Sequence, residues 1–449
     1  MSLQIERTAS LYNGLGIVPA EILTPAADVD VTRWAVVACD QFTSQPEYWQ
    51  QAGRFVGGMP STLQFILPEV YLNAPDADER KRSILDNMRL AQTKGVFAQP
   101  FVGFVLVERS FETDKAAGES RPPRIGLVTA VDLELYDFSA ESTSPIRATE
   151  GTIVERLPPR VAIRREAALE LPHILLLLQD KERSVIEPVY AKRASLRKLY
   201  DAPLMLGGGS IKGWAVDSAD DITIIGEALR TLPTVNGVRI AVGDGNHSLA
   251  AARAVWLEAR DGIPEDQRAT HPLHYALAEM CNVYDDGITF EPIHRIVYGA
   301  KLAELLAAFV LWVADRGGFT LIKPNELRTS GPSRETVGQS VSFIDSESSV
   351  TISITSPPLQ TAVGTVQAFL DQWSVMQKQT EVSIDYIHGD DVLRDLASAP
   401  DRVGILLPAL DKSELFPAIA KDGALPRKTF SMGHAREKRY YLEARRLRT

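Results

Sequence analysis

Apolar positions in the first two thirds of the chain recur with two periods, and the alternation between them predicts strands and helices in turn. The run at 34–39 (WAVVAC) predicts a buried strand ending on Asp40, and Pro46 then stands at the first position of a helix over 47–55. Residues 64–72 read as strand-like, and 76–94, with Ile84 and Met88, as a surface helix. Residues 101–107 and 124–135 are β-patterned, and the charged, Gly- and Pro-containing stretch 112–123 reads as an exposed connection between them. Within 172–178 the apolar residues run without alternation, as in a strand buried on both faces. Residues 188–200 read as helix, 220–230 as helix, 238–245 as strand and 248–260 as helix.

Later in the chain, Leu302, Leu305, Leu306, Phe309 and Val313 fall on one helical stripe. The segment 317–357 is rich in Ser, Gly and Pro and holds only short strands, at 341–344 and 350–354. From 359 onward the pattern reads helix, strand (382–387), helix (390–397), strand (403–407), helix (414–422). The expected fold is therefore α/β, mixed α+β. It has a large mixed-sheet region over 1–300 and a smaller α/β module over 301–449, whose basic tail returns toward the first region.

Length and composition narrow the class without naming a function. A chain of 449 residues favours two or three domains, and 45% apolar with 24% charged residues excludes collagen-like, disordered and disulfide-scaffold classes. The net charge of -10 argues against a surface built to hold nucleic acid or anionic lipid, so nucleic acid is not an expected partner. Cys39 and Cys281 lie far apart with no CxxC and no His at metal spacing, so they read as two buried thiols rather than a zinc framework. The start of the chain lacks a basic stretch followed by an apolar one, and the apolar run 302–314 is too short to span a bilayer. The expectation is a cytoplasmic protein with no membrane partner, compatible with a homo-oligomer.

The sharpest chemical signal is 238–257, VRIAVGDGNHSLAAARAVWL. An apolar strand breaks at Gly243, Asp244, Gly245, Asn246 and His247 and runs into an Ala-rich helix that Ser248 begins. Free N–H groups at a helix start, glycines that permit close approach and a carboxylate at a strand end suit a phosphate with a metal ion or a hydroxyl. Asp244 is then a metal ligand or a general base, and His247 orients it or donates to a phosphoryl oxygen. The plainer alternative is that Asp244 or Asn246 only caps the helix.

A second segment, 147–165, holds five arginines against two glutamates and places Arg147, Thr149, Glu150 and Thr152 on a loop. It reads as an anion grip or as a solvated basic loop. LGGGSIKG at 206–213 lacks the spacing of a phosphate-binding P-loop, so it reads as a glycine hairpin or ligand-approaching loop in which Lys212 can still neutralise a phosphate. FEPIHRI at 290–296 offers His294 beside Arg295. The tail from Arg427 to Arg448 carries a balance of +6 and reads as an RNA-binding tail or as a solvated edge. A third reading brings Arg427, Lys428, Thr429 and Ser431 to the same anion site.

Taken together, ACDQFTSQPEYW at 38–49, SPIRATEGT at 144–152, LGGGSIKG, VGDGNHSLA at 242–250, FEPIHRI and LPRKTFSMG at 425–433 resemble one branch of the bacterial and archaeal family catalogued as domain of unknown function ten-fifteen. Most of that family reads D-G-H-H-R where this chain has Asp244, Gly245, Asn246, His247 and Ser248. That form is similar to the nucleotide-binding turn of ParB and sulfiredoxin-like proteins, which include ADP-dependent free-serine kinases. The resemblance implies a role for Asp244 in phosphoryl transfer, with His247 the retained His and Glu150 the candidate for an acid earlier in the chain. Asn246 and Ser248 remove a His and an Arg from the cradle, and Arg147 or Lys212 is the candidate replacement for the lost charge. Pro426 to Thr429 keep part of the family's P-x-K-S-T pattern.

The function expected is a kinase-like phosphotransferase acting with a nucleotide cosubstrate or a phosphorylated metabolite, assisted by Mg²⁺ at Asp244. The competing expectation is a non-catalytic regulatory protein that binds the same anionic small molecule or nucleotide.

Overall fold

The computed structural model describes residues 10–112, 121–322, 338–377 and 382–448. It divides into two compact units, Met1–Ile288 with Met432–Thr449, and Thr289–Ser431. The connection expected at 112–123 and the segment 317–357 lie partly outside the described residues.

An eleven-stranded sheet organises the first unit. In chain order its strands are β1 (Ile17–Val18), β2 (Ala20–Ile22), β3 (Phe101–Ser110), β4 (Arg124–Asp132), β5 (Tyr136–Asp137), β6 (Ile146–Ala148), β7 (Leu175–Leu178), β8 (Arg197–Pro203), β9 (Ser210–Val216), β10 (Ile240–Asp244) and β11 (Tyr275–Asn282). Their spatial order is β8-β9-β3-β4-β11-β7-β10-β6-β5, with β1 beside β4 and β2 beside β3. The sheet is mixed: β7 runs parallel to β11 and antiparallel to β10, while β10 runs parallel to β6. The four leucines of β7 are all buried, because a central strand covered on both faces needs apolar residues at every position. Helices α1 (Pro46–Val56), α2 (Ala77–Ala91), α3 (Pro158–Glu166), α4 (Ala219–Thr231) and α5 (Asn246–Arg260) belong to the same unit.

Several expected elements differ. Residues 64–72 form short 3-10 turns, Thr62–Phe65 and Glu69–Tyr71, in place of a strand. The helix expected over 188–200 stops at Ala191, and its last residues open β8, where Tyr200 is held by Glu443. The glycine loop is a hairpin turn between β8 and β9: Gly209 has φ +78°, and a Cβ there would meet the Ser110 carbonyl at 2.3 Å.

The basic tail is not simply a solvated edge, since Lys438, Arg439 and Arg445 are buried and serve as internal counter-ions. Tyr440–Tyr441 pairs with Val36–Val37, and Arg445–Arg446 with Leu169–Glu170. Arg439, 1% exposed, lies between Glu279 and Glu443, Arg445 meets Glu170, and Arg446 meets Glu21. That pairing is why residues 432–449, expected in the second module, fold with the first unit.

His274 precedes β11. Its Nδ1 lies 2.9 Å from the Arg268 carbonyl and its Nε2 2.8 Å from Asp132 Oδ1. Burial opposes a charge on the ring, but only the protonated ring donates to both partners, and the Asp132 carboxylate raises its pKa above the ordinary histidine value. The stabilisation is thus complete below the unfolded value of about 6.5 and is lost as pH rises through the raised folded value. His274→Gln is expected to lower the urea midpoint more at about pH 6 than at about pH 9. A deficit of equal size at both pH values contradicts this.

The second unit carries an antiparallel sheet of β12 (Phe290–Tyr298), β13 (Phe319–Ile322), β14 (Gln339–Ile344), β15 (Ser349–Ile354), β16 (Ser383–His388) and β17 (Arg402–Leu406), ordered β13-β15-β14-β17-β12-β16. Helices Leu302–Ala314 and Ala362–Met376 share its apolar core through Phe309, Phe343 and Phe369. Among the described residues no helix is long and apolar enough to cross a membrane.

Candidate functional site

The strand β10 delivers Asp244 to the start of α5. Between them Gly245 takes φ +81°, which turns the chain into the helix. Having no side chain, Gly245 also leaves the first turn without a side-chain cap, so the expected capping role of Asp244 or Asn246 is not the one observed. Asp244 Oδ1 instead accepts from the Gly245 N–H at 2.9 Å, and its Oδ2 faces Lys438 Nζ at 3.3 Å.

The parallel pairing of β6 with β10 sets Ala148 opposite Val242 and so brings the following loop to this turn. Thr149 Oγ1 donates to the Val242 carbonyl at 2.6 Å and lies 3.5 Å from Asn246 Nδ2. The Ile153 N–H donates to His247 Nε2 at 3.2 Å, which assigns the ring proton to Nδ1. Asn246 Oδ1 is buried without a hydrogen-bond partner among the described residues. Thr149, Glu150, Asn246 and His247 therefore belong to one neighbourhood with Asp244.

Two further segments meet there. The short strand Val36–Val37 carries the chain to Cys39 and Asp40, and the returning tail pairs with that strand and supplies Lys438 and Tyr441. Burial works against an ionised Asp40, but His173, the Gln41 amide at 3.0 Å, Lys438 and Arg160 outweigh it and hold the carboxyl below its usual range. Lys438 thus pairs with Asp244 and also acts electrostatically on Asp40. The His173 ring is pushed toward its neutral form by burial, against the pull of both aspartates.

That ring lies in a chain of neutral groups. Ser248 Oγ is 2.8 Å from His173 Nε2, and His173 Nδ1 is 3.0 Å from the Tyr441 hydroxyl. Tyr441 donates to Cys39 Sγ at 3.1 Å. Because the one phenol proton goes to sulfur, His173 Nδ1 carries its own proton and Nε2 accepts from Ser248. Burial and the adjacent Asp40 push the Cys39 thiol up to about 11, so it stays protonated near neutrality.

The other residues singled out in the sequence make contacts of their own. Arg147 is spent on the Ser144 carbonyl at 2.9 Å and the Asn236 carbonyl at 3.4 Å, and Lys212 pairs with Glu108 at 2.9 Å. Neither replaces the lost cation beside Asp244, a place that Lys438 takes. His294, Arg295, Arg427, Lys428 and Thr429 belong to the second unit. There His294 donates to Asp390 at 2.8 Å and accepts from the Leu407 N–H at 3.1 Å. Arg295 donates to Gln367 and to the carbonyls of Ile293 and Lys428, and lies over the Tyr386 ring. Arg427 faces the same ring at 5.9 Å, and the Thr429 hydroxyl closes on the Pro426 carbonyl. These contacts give the motifs at 290–296 and 425–429 a structural role within their own unit. No group of three or more His, Cys, Asp or Glu suited to a metal ion occurs among the described residues.

A family model described as "Protein of unknown function (DUF1015)" matches residues 17–373, most of the chain. The chain belongs to the DUF1015 family. No curated protein matches it. Among solved structures it is similar to a free serine kinase in complex with AMP, at 12% identity and a TM-score of 0.38, over 71% of this chain and 92% of that one. It is also similar to a C-terminally truncated SbnI from Staphylococcus aureus, at 11% identity and a TM-score of 0.35, over 68% of this chain and 82% of that one. A conserved hypothetical protein from Pyrococcus furiosus matches at 10% identity and a TM-score of 0.32, over 70% of this chain and 90% of that one.

In this DUF1015 chain, sequence reasoning missed Asp40, His173, Lys438 and Tyr441. The signal for Asp40 was present, since it ends an apolar run inside the segment ACDQFTSQPEYW. Lys438 and Tyr441 were hidden in a tail in which only Arg427, Lys428, Thr429 and Ser431 are singled out.

Proposed function

We propose that the first unit is a small-molecule phosphotransferase whose reacting groups gather around Asp40, Asp244 and Lys438. The observation that carries this reading is the Lys438 ammonium 3.3 Å from Asp244 at a helix start with no side-chain cap, with Asp40 held ionised nearby by charges that include Lys438. The helix N-terminus and Lys438 hold phosphoryl oxygens, and the Thr149 and Asn246 side chains line the approach. Asp40, kept ionised, accepts the proton of an acceptor hydroxyl. The acceptor oxygen then bonds to phosphorus, and the P–O bond to the nucleotide breaks, its electron pair leaving with the nucleoside phosphate.

Two carboxylates and one ammonium leave a negative balance where an anion must bind. A divalent ion would be held by Asp244 together with phosphate oxygens and waters, and would neutralise charge on the transferred group. One protein carboxylate suffices for Mg²⁺, which keeps waters and phosphate oxygens as its remaining ligands.

The test is a calorimetric titration of the full chain with ATP, ADP and AMP, with and without Mg²⁺. The expected outcome is Mg²⁺-dependent binding of at least one nucleotide. Lys438→Met removes a charge-assisted contact and leaves Asp244 without its ion-pair partner, so affinity should fall about 10- to 100-fold. Unchanged affinity in that variant contradicts the assignment. Binding without any conversion favours a nucleotide sensor at the same turn.

A further inference from the structure

We infer that the first unit carries an acceptor subsite for an uncharged alcohol with an apolar body of about six or seven heavy atoms, in a cavity lying between the two segments that supply Asp40 and Asp244. The inference rests on the phosphotransferase reading for the purpose of the subsite, and on the cavity alone for its ligand.

The cavity measures about 160 Å³, and its wall includes Phe65, Leu67, Met88, Ile163, Leu277 and Leu447. A dry apolar cavity of about 150 Å³ admits one benzene-sized group. One part of the wall is polar, formed by Cys39, His173, Ser248 and Tyr441, the same four groups that make the neutral hydrogen-bonded chain. Cys39 is the neighbour of Asp40, and Ser248 lies on the first turn of α5, four residues after Asp244. An occupant whose apolar body fills the cavity thereby turns its polar end toward the carboxylates.

The chemistry of that polar end selects the ligand's charge. The charged side chains on the wall are already committed: Arg160 pairs with Glu69, and Arg164 with Glu170. A carboxylate on the ligand would lose its hydration and face like charge, and an ammonium would lose its hydration and have to compete with Lys438 for Asp244. A hydroxyl needs only what is present, the lone pairs of Ser248 Oγ and the His173–Ser248 hydrogen bond, with which it can exchange partners.

The experiment follows benzyl alcohol, toluene, benzylamine and benzoate binding to the full chain by ligand-observed NMR titration, without nucleotide. The expected result is saturable binding in the order benzyl alcohol, then toluene, with benzylamine and benzoate weakest. Ala251→Leu, which fills the cavity from α5, should weaken benzyl alcohol at least about tenfold. Ser248→Ala should bind toluene as the unmodified chain does and lose the preference for the alcohol, which keeps the test valid if the Leu variant fails to fold. Non-saturable binding, equal binding of all four probes, or a preference that survives Ser248→Ala overturns the subsite. Mg²⁺-nucleotide titration of the same samples separates the two claims. Nucleotide binding without alcohol binding refutes only the subsite, and alcohol binding without nucleotide binding refutes only the phosphotransferase reading.

Discussion

Arg439→Met is expected to destabilise the first unit by about 3–5 kcal/mol, the cost of breaking a buried ion pair from one side. The guanidinium is 1% exposed, and the carboxylates it joins, Glu279 and Glu443, are both fully buried. Burial alone would raise the Glu279 carboxyl, yet Arg124 and Arg439 hold it below its usual range. Removing Arg439 leaves Glu443 with the Tyr200 hydroxyl and Glu279 with Arg124 at 3.4 Å, too little for two charges. The lowered Glu279 value means that this stabilisation is present above the unfolded carboxyl pKa of about 4.3 and is lost as pH falls through the folded value. The gap in urea midpoint between the parent and Arg439→Met should therefore shrink on acidification. A triple replacement of Arg439, Glu279 and Glu443 by apolar residues should recover much of the loss. A loss below about 1 kcal/mol for the single variant would show that the tail's charges do not hold it to the sheet.

This network marks where the sequence ceased to be readable. Periodicity located β7, α2, α5 and the helix at 302–314, because each has a complete apolar stripe or run that depends on no distant partner. The mixed α/β class followed from the same pattern. Residues 188–200 misled because Tyr200 belongs to β8 only through partners on β9 and on the tail, which no local window contains. The tail misled for a related reason. Eight basic residues among 427–448 look like a solvated block, whereas four of them, Lys438, Arg439, Arg445 and Arg446, meet Asp244, Glu279, Glu170 and Glu21, each 150 or more residues away in the chain.

The candidate site was legible at the turn and not beyond it. Strand, glycines, carboxylate and helix are contiguous at 240–260, so Asp244 could be singled out from the chain alone. Glu150 was the acid expected earlier in the chain, and its loop does reach the turn through the pairing of β6 with β10. The acid on which Lys438 also acts electrostatically is nevertheless Asp40, whose segment is paired with the tail through Tyr440–Tyr441 and Val36–Val37, about four hundred residues apart. Arg147 and Lys212 were plausible cations by charge alone, but each has a nearer partner in the fold.

Asp244→Asn is expected to reduce phosphoryl transfer about a thousandfold while the fold survives. The amide keeps the shape of the side chain and can still accept from the Gly245 N–H, so the turn should persist. It removes the charge that faces Lys438 and the oxygen pair suited to a divalent ion. Nucleotide affinity in the absence of Mg²⁺ should rise or hold, since the ammonium is then freed for phosphate, and the gain on adding Mg²⁺ should largely vanish. Asp40→Asn should lower transfer as well, with a smaller effect on the Mg²⁺ dependence of binding.

The most direct measurement of the central claim is transfer of the radiolabelled terminal phosphate of ATP, and separately of ADP, to a defined mixture of small alcohols that includes benzyl alcohol, catalysed by the full chain in the presence of Mg²⁺. The account predicts a labelled phosphate ester with the parent protein and about a thousandfold less with Asp244→Asn at equal folded concentration. Equal labelling by the two proteins, or no labelled ester with either nucleotide, would contradict it.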